Sequence, residues 1–255
     1  MTETPCLNCP LRALPLFLSH TEHELALVQQ LKRHELVLQE GDTLIHEGET
    51  DTRLYTLLRG WGYRFKTLSD GRRQILNFLL AGDFIGVQQK MSDAAAHGVV
   101  MLTAARLCVF DRNALWDLHR QQPSMGFNIT WLTAHEESLV DDNLLSIGRR
   151  SAEERVATLL ILLYKRAAAL HGVGEPAAQQ RAQGLLPSVK FPPTQQHLAD
   201  ALGLSLAHTN KTLQKLQRRG LYRIEDGRLQ LLDPKALARL ADLYGDGHPP
   251  ARPLI

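Results

Sequence analysis

No apolar run in this chain approaches the ~20 residues that a membrane-spanning helix requires. The longest, Val156 to Tyr164, is broken by Thr158. No basic stretch followed by an apolar segment opens the sequence, so no export signal is expected and the chain is read as cytoplasmic, with no membrane partner. Cysteine is scarce: three in 255 residues, an odd number, exclude a disulfide framework and fit a reducing compartment in which thiols stay free or bind metal. Catalytic signatures are also missing. There is no HExxH, no Walker-type loop and no Ser/His/Asp constellation, and His119 and His135, on helical stretches near carboxylates, read as surface or core residues. An enzyme is not expected.

What is present is the composition of a globular protein with a core, 44% hydrophobic and 22% charged, in a chain long enough for one large domain or two ordinary ones. The formal net charge of +2 conceals an asymmetry. Residues 1–150 carry 15 Lys/Arg against 18 Asp/Glu, whereas residues 151–255 carry 14 against 9. An excess of basic residues in one half is the pattern of a half that meets a polyanion.

The pattern changes along the chain. Thr21 to Leu31 reads as a helix with Leu25, Val28 and Leu31 on one face. From Glu35 to about Phe110, short β-rich runs such as Leu54–Leu58 and Tyr63–Phe65 alternate with glycine turns, which predicts an antiparallel sandwich or roll. Met125, Leu132 and Leu139 then recur at sevenfold spacing and Val140, Leu144 and Ile147 continue the stripe, predicting a long helix suited to a self-associating seam. Gly148-Arg149-Arg150 breaks this pattern. Ser151 and Glu154 restart it with capping-box spacing for a helix to about Leu170. Residues 171–187, rich in Gly, Pro and Gln, read as a loop.

Residues 194–220 carry the strongest signal. Thr194 can cap a helix from Gln195 to Leu202, Gly203 can stop it in the left-handed conformation, and Ser205 can cap the next, which makes a helix-turn-helix. In the second helix Leu206, Thr209, Leu213 and Leu216 share one face and are expected to pack inward. Ala207, His208, Lys211, Gln214, Lys215 and Arg218 share the other, with Asn210 at the boundary. His208, Asn210 and Lys211 are the expected base readers in a major groove, and Lys215 and Arg218 the expected phosphate contacts. Leu221–Ile224 and Arg228–Leu232 around Glu225-Asp226-Gly227 read as a hairpin, the wing of a winged helix. Asp233-Pro234 opens a closing helix to about Tyr244.

This order of parts resembles the Crp/Fnr superfamily of bacterial transcription regulators over nearly the whole chain. The match rests on the glycines through Gly82-Asp83-Phe84-Ile85-Gly86, on SAEERVA from Ser151, and on TQQHLADALGLSLAHTNKTL from Thr194. The resemblance implies an α+β protein: an N-terminal antiparallel β-roll, a long dimerisation helix and a C-terminal winged helix-turn-helix. The expected divisions are a leader at 1–20, the roll at 21–122, the dimerisation helix at 123–148, the DNA-binding domain at 149–246 and a tail at 247–255. It implies a homodimer that binds double-stranded DNA at a near-palindrome through Thr194, Gln195, Ser205, Ala207, His208, Asn210, Lys211, Lys215 and Arg218, with RNA polymerase as a further partner. Relatives that read the well-known palindromes carry Glu and Arg at the places of Ala207 and Lys211, so the operator does not carry over. Members that bind cyclic AMP have a glutamate and an arginine after the Gly82 turn. Gly82 to Ala105 contains neither, and its only basic side chains are Lys90 and His97, so cyclic AMP is not expected. A cyclic-nucleotide-responsive module acting on a protein partner is the alternative.

The cysteines extend the resemblance. Oxygen-sensing members hold a four-iron–four-sulfur cluster with a leader CxxC, a third leader cysteine and one late in the roll. Cys6, Cys9 and Cys108 match three of these, while Pro15 stands at the remaining place. An iron–sulfur cluster completed by an oxygen or imidazole ligand, with His20 and His23 nearby, is one reading. A zinc half-site, a thiol switch, a relict motif and a small core residue at Cys108 are the others.

Overall fold

The computed structural model describes residues 3–50, 53–87, 94–170, 186–243 and 251–255. The chain divides into two compact units, each discontinuous in sequence: Met1–Lys66 with Phe78–Leu139 and Pro249–Ile255, and Thr67–Asn77 with Val140–His248. Among the described residues no helix is long and apolar enough to cross a membrane.

In the first unit two 3-10 turns, Cys6–Asn8 and Pro10–Ala13, precede α1 (Glu22–Leu31). Thr21 starts α1 by a reciprocal cap: its hydroxyl accepts from the Glu24 N–H at 3.2 Å while the Glu24 carboxylate accepts from the Thr21 N–H at 2.9 Å. The strands β1 (Lys32–Leu38), β2 (Thr43–Ile45), β3 (Leu54–Arg59), β4 (Gly62–Thr67), β5 (Arg73–Leu79), β6 (Phe84–Ile85), β7 (Gly98–Met101) and β8 (Ala105–Phe110) follow, with Arg73–Asn77 of β5 belonging to the second unit. They form two four-stranded sheets, ordered β1-β8-β3-β6 and β2-β7-β4-β5. Ile45, Leu57, Ile85, Val99, Met101 and Leu107 fill the core between them. Strand β3 is buried from Leu54 to Leu58, which is why its sequence runs apolar instead of alternating.

After α2 (Ala114–Gln121) comes α3 (Pro123–Arg149), 27 residues long. Its Met125, Ile129 and Leu132 are buried, and Glu136 pairs with the buried Arg64 of β4 at 2.9 Å. The break expected at Gly148 falls later. A glycine costs a helix only ~1 kcal/mol, so the helix runs on until the extended backbone of Ser151 ends it.

In the second unit α4 (Ala152–Ala169) carries the capping box read from the sequence, Ser151 N–H to the Glu154 carboxylate at 2.7 Å. It buries Val156, Ala157, Leu160, Ile161, Leu163 and Tyr164. Residues 171–185 of the expected loop lie outside the described residues. Then come β9 (Val189–Lys190), α5 (Gln195–Leu202), α6 (Leu206–Arg218), β10 (Tyr222–Glu225), β11 (Arg228–Leu231) and α7 (Pro234–Leu240). The wing hairpin turns through Asp226 and Gly227, both at positive φ (50° and 67°), the geometry that matches the twist of the flanking strands. Strand β9 adds to it, giving the order β10-β11-β9, a third strand that was not legible in two residues of sequence. Helix α7 stops at Leu240, short of Tyr244, and Asp242 takes a left-handed φ of 53° just beyond.

Candidate nucleic-acid interface and cysteine cavity

The helix pair in the second unit is fixed by its caps. The Thr194 hydroxyl accepts from the His197 N–H at 3.3 Å, and the Thr194 N–H donates to His197 Nδ1 at 3.2 Å, so an imidazole fills the place usually taken by Glu or Gln. Gly203 ends α5 at φ 63°, and Ser205 caps α6 by accepting from the His208 N–H at 3.2 Å. Thr209, Thr212, Leu213 and Leu216 of α6 are buried, and the Tyr222 hydroxyl of the wing donates to the Leu213 carbonyl at 3.0 Å.

Ala207, His208, Lys211, Gln214, Lys215 and Arg218 are exposed together on the opposite face, with Thr194, Gln195 and Ser205 exposed at the two helix starts. Two placements differ from the sequence reading. Leu206, expected inward, is 42% exposed, whereas Thr209, Leu213 and Leu216 of the same face are buried. Thr212 is buried instead, its hydroxyl satisfied by the His208 carbonyl one turn back at 2.9 Å. Asn210 is half-buried, and its Oδ1 is enclosed with no hydrogen-bond partner among the described residues.

The outer face is also less uniformly cationic than the helix sequence implies. Glu153, in the first turn of α4, binds the Lys215 ammonium and, at 3.0 Å, the Arg219 guanidinium. A second contact escaped sequence reasoning. Arg73 grips Asp200 of α5 with Nε and Nη2 at 2.9 and 2.7 Å, and Gln74 Nε2 donates to the Ala201 carbonyl at 3.1 Å. No local signal could reveal partners 127 residues apart.

In the first unit the leader is pinned by polar contacts. The Thr4 N–H donates to Glu35 Oε1 at 2.7 Å, the Cys6 N–H to Gln29 Oε1 at 2.7 Å, and Lys32 Nζ to the Thr4 carbonyl at 2.8 Å. This docking carries Cys6 and Cys9 to Cys108 on β8, which stands in register between Glu35 of β1 and Thr56 of β3. All three cysteines are free thiols and line one cavity of about 20 Å³, together with Arg12, Leu254 and Ile255. Burial pushes the Cys108 thiol up to about 12 and raises that of Cys6, against the opposing pull of the Lys32 ammonium on both. Arg12 Nη1 lies 2.8 Å from His20 Nδ1, and Arg12 Nε and His20 Nε2 are enclosed without partners among the described residues. Burial, then the neighbouring guanidinium, pulls the His20 pKa down.

The C-terminal residues close this cavity. The Arg252 N–H donates to the Leu16 carbonyl at 2.8 Å and its carbonyl accepts from the Leu18 N–H at 2.9 Å, a parallel bridge beside Phe17. The Arg252 guanidinium lies over the Phe17 ring at 5.1 Å, donates to the buried Asp83 at 2.7 Å and to the Ala81 carbonyl at 3.1 Å. The packing is tight: a Cβ on Gly82 would meet the Phe17 ring at 2.2 Å. Leu254 and Ile255 are buried, and the Thr56 hydroxyl donates to the Ile255 carbonyl at 2.6 Å.

So folded, these residues do not fit a four-iron–four-sulfur cluster. The cavity holds about one water, Pro15 offers no donor, and the Nδ1 of His20 is turned to Arg12. Among the described residues no three His, Cys, Asp or Glu side chains are grouped so as to hold a metal ion.

Comparison with known proteins bears on both units. Residues 35–122 match the family model of the cyclic nucleotide-binding domain, and residues 154–240 that of the Crp-like helix-turn-helix domain. The chain is 31% identical to the nitrogen fixation regulation protein FixK of Bradyrhizobium diazoefficiens, over 92% of this chain and 93% of that protein. It is 28% identical to the transcriptional activator protein FnrL of Cereibacter sphaeroides, over 94% of this chain and 92% of that one. Among solved structures, FixK2 from Bradyrhizobium japonicum aligns with a TM-score of 0.68 at 23% identity, covering 84% of this chain and 98% of that one, a likeness of fold.

Proposed function

This chain belongs to the Crp/Fnr family of DNA-binding transcription regulators, and from that premise we propose that it is a homodimer whose α6 helices read a near-palindromic operator and whose input is the state of Cys6, Cys9 and Cys108. The observation that carries the DNA reading is the exposed face of α6, which presents His208 and Lys211 near the capped N-terminus of the helix. These two side chains supply donors to base edges, and Ala207 offers a small apolar contact. Asn210, with its carbonyl oxygen enclosed, has only its amide nitrogen to contribute. Lys215 and Arg218 meet the phosphate backbone, with Gln214 beside them, and Thr194 and Gln195 bring the N-terminus of α5 to a phosphate.

Val140, Leu144 and Leu145 lie exposed on α3, and a second copy of the helix is the partner that would cover them. RNA polymerase is the downstream partner in this reading, as activators are named among the relatives. The three thiols support the signal assignment because folding brings residues from the leader and from β8 to one cavity.

Lys211→Glu tests the docking. Specific binding to an operator fragment, read by fluorescence anisotropy, should be abolished while the melting temperature stays unchanged. Undiminished binding would overturn the proposed role of α6. Wild-type affinity should fall steeply with salt, as phosphate contacts require.

A further inference from the structure

Cys6 and Cys9 are joined by more than their spacing. The Cys9 N–H donates to the Cys6 carbonyl at 3.3 Å, closing a turn whose end Cα atoms stand within about 7 Å of each other. A disulfide needs a Cα separation of about 4.4–6.8 Å, so this turn can accept one with little backbone movement. The three thiols also differ in access. Cys6 and Cys108 are buried, whereas Cys9 is half-buried and meets solvent. Burial pushes the Cys108 thiol up to about 12 and raises that of Cys6, which keeps both protonated at neutral pH.

One cation faces these sulfurs. Arg12 lines the same cavity. Its Nη1 lies against His20 Nδ1, its Nε is enclosed without a partner, and among the described residues no carboxylate pairs with it. Burial lowers its pKa, and the groups that oppose this are Cys9, Cys6 and Cys108, in that order, ahead of Glu24. A guanidinium with thiols around it and no counter-ion is suited to a sulfur anion and to an oxygen that leaves with negative charge.

We propose that Cys6 and Cys9 are a peroxide-oxidised dithiol, with Cys9 as the attacking sulfur, Arg12 as the cation beside it and Cys6 as the resolving thiol, while Cys108 stays reduced. The inference rests on the reading that the cysteines are the input of the protein, and it names the chemistry of that input. The oxidant is a hydroperoxide. Cys9 gives its proton to solvent, its sulfur attacks one peroxide oxygen, and the O–O bond breaks. The second oxygen leaves and takes up a proton as water or an alcohol, and Cys9 is left as a sulfenic acid. The Cys6 sulfur then displaces that hydroxyl, which departs as water with the Cys6 proton, and an S–S bond closes the turn. The dithiol gives up two electrons and the peroxide takes them.

The test uses the full chain in its reduced form and hydrogen peroxide as the probe. Remaining thiols are alkylated after unfolding and mapped by mass spectrometry. One equivalent of peroxide should produce a Cys6–Cys9 disulfide and leave Cys108 alkylated. In Cys6→Ser, dimedone should tag Cys9. Arg12→Gln should slow oxidation of Cys9 at least tenfold at an unchanged melting temperature, and Arg12→Lys, which keeps the charge, should recover most of the rate. A disulfide through Cys108, or an unchanged rate in folded Arg12→Gln, would overturn the proposal. If the variants fail to fold, the wild-type map decides: a Cys6–Cys9 bond supports the proposal and its absence overturns it. Operator affinity of the reduced and oxidised samples is a separate measurement. Equal affinities would remove the cysteines as the input while leaving the oxidation site standing, so the two failures are told apart.

Discussion

Glu153 and Lys215 are bonded to each other, a carboxylate from the first turn of α4 against an ammonium on the exposed face of the recognition helix. If Lys215 meets phosphate as proposed, this internal anion would compete with DNA for it. Exchanging Glu153 for Gln removes the competitor and frees both Lys215 and Arg219. Operator affinity should rise about threefold to tenfold, and the slope of log affinity against log salt should steepen by about one unit as one more cation meets phosphate. The cost is the carboxylate at the start of α4, about 0.3–1 kcal/mol of helix-dipole stabilisation. Anisotropy titrations over a salt series check both numbers, and an unchanged slope would sink the assignment of Lys215.

Arg73 and Asp200 join strand β5 to the first helix of the helix pair by two hydrogen bonds, from Nε and Nη2, that converge on Asp200 Oδ2. The pair is largely buried, so its loss leaves a carboxylate poorly solvated. Arg73→Ala should destabilise the protein by about 1–3 kcal/mol, read by urea denaturation. Arg73→Lys keeps the charge and loses the planar fork, and should recover only part of that stability. Equal stability of Lys and Arg at this position would show that geometry contributes nothing.

Leu144 is 69% exposed on α3, with Val140 one turn before it. If this stripe is the seam of a homodimer, Leu144→Glu places two carboxylates against each other and should weaken association at least tenfold. Sedimentation velocity reads the result directly. A variant that dimerises as tightly as wild type would remove this helix face from the interface.

The local devices were legible in the sequence because each is written within a few residues. Ser151 with Glu154, Gly203 between two short helices, and Asp226-Gly227 in the wing all took the geometry their residue types require. The exposed face of α6 was legible too, since helical period alone sorts Lys211 from Leu213. What could not be read depends on partners distant in sequence: Glu153 on Lys215, Arg73 on Asp200, Thr56 on Ile255. Leu206 was misassigned for a related reason. Periodicity places it on the apolar face, but nothing in its own neighbourhood says whether another element covers that end. The C-terminal segment Arg252–Ile255 carries no local signal at all. Its place is set by Phe17, Asp83 and the cavity beside Cys108.

His97 is buried beside Arg64 and Lys66, and its Nε2 has no hydrogen-bond partner among the described residues. Burial first, then these two cations, lowers its pKa from 6.5 to about 4. In the unfolded chain the imidazole takes up a proton below about pH 6.5, whereas the folded protein resists protonation until about pH 4. Between these values the unfolded state binds more protons, so stability rises with pH and is lost as the pH falls from 6.5 toward 4. The full loss from this group is about 3 kcal/mol. His97→Phe fills the same space without a titrating group, so its stability should fall less steeply over this window. Urea denaturation midpoints at half-unit pH steps measure the difference. Identical pH profiles for the two proteins would mean that His97 is protonated in the native state and that this corner of the β-roll is wet.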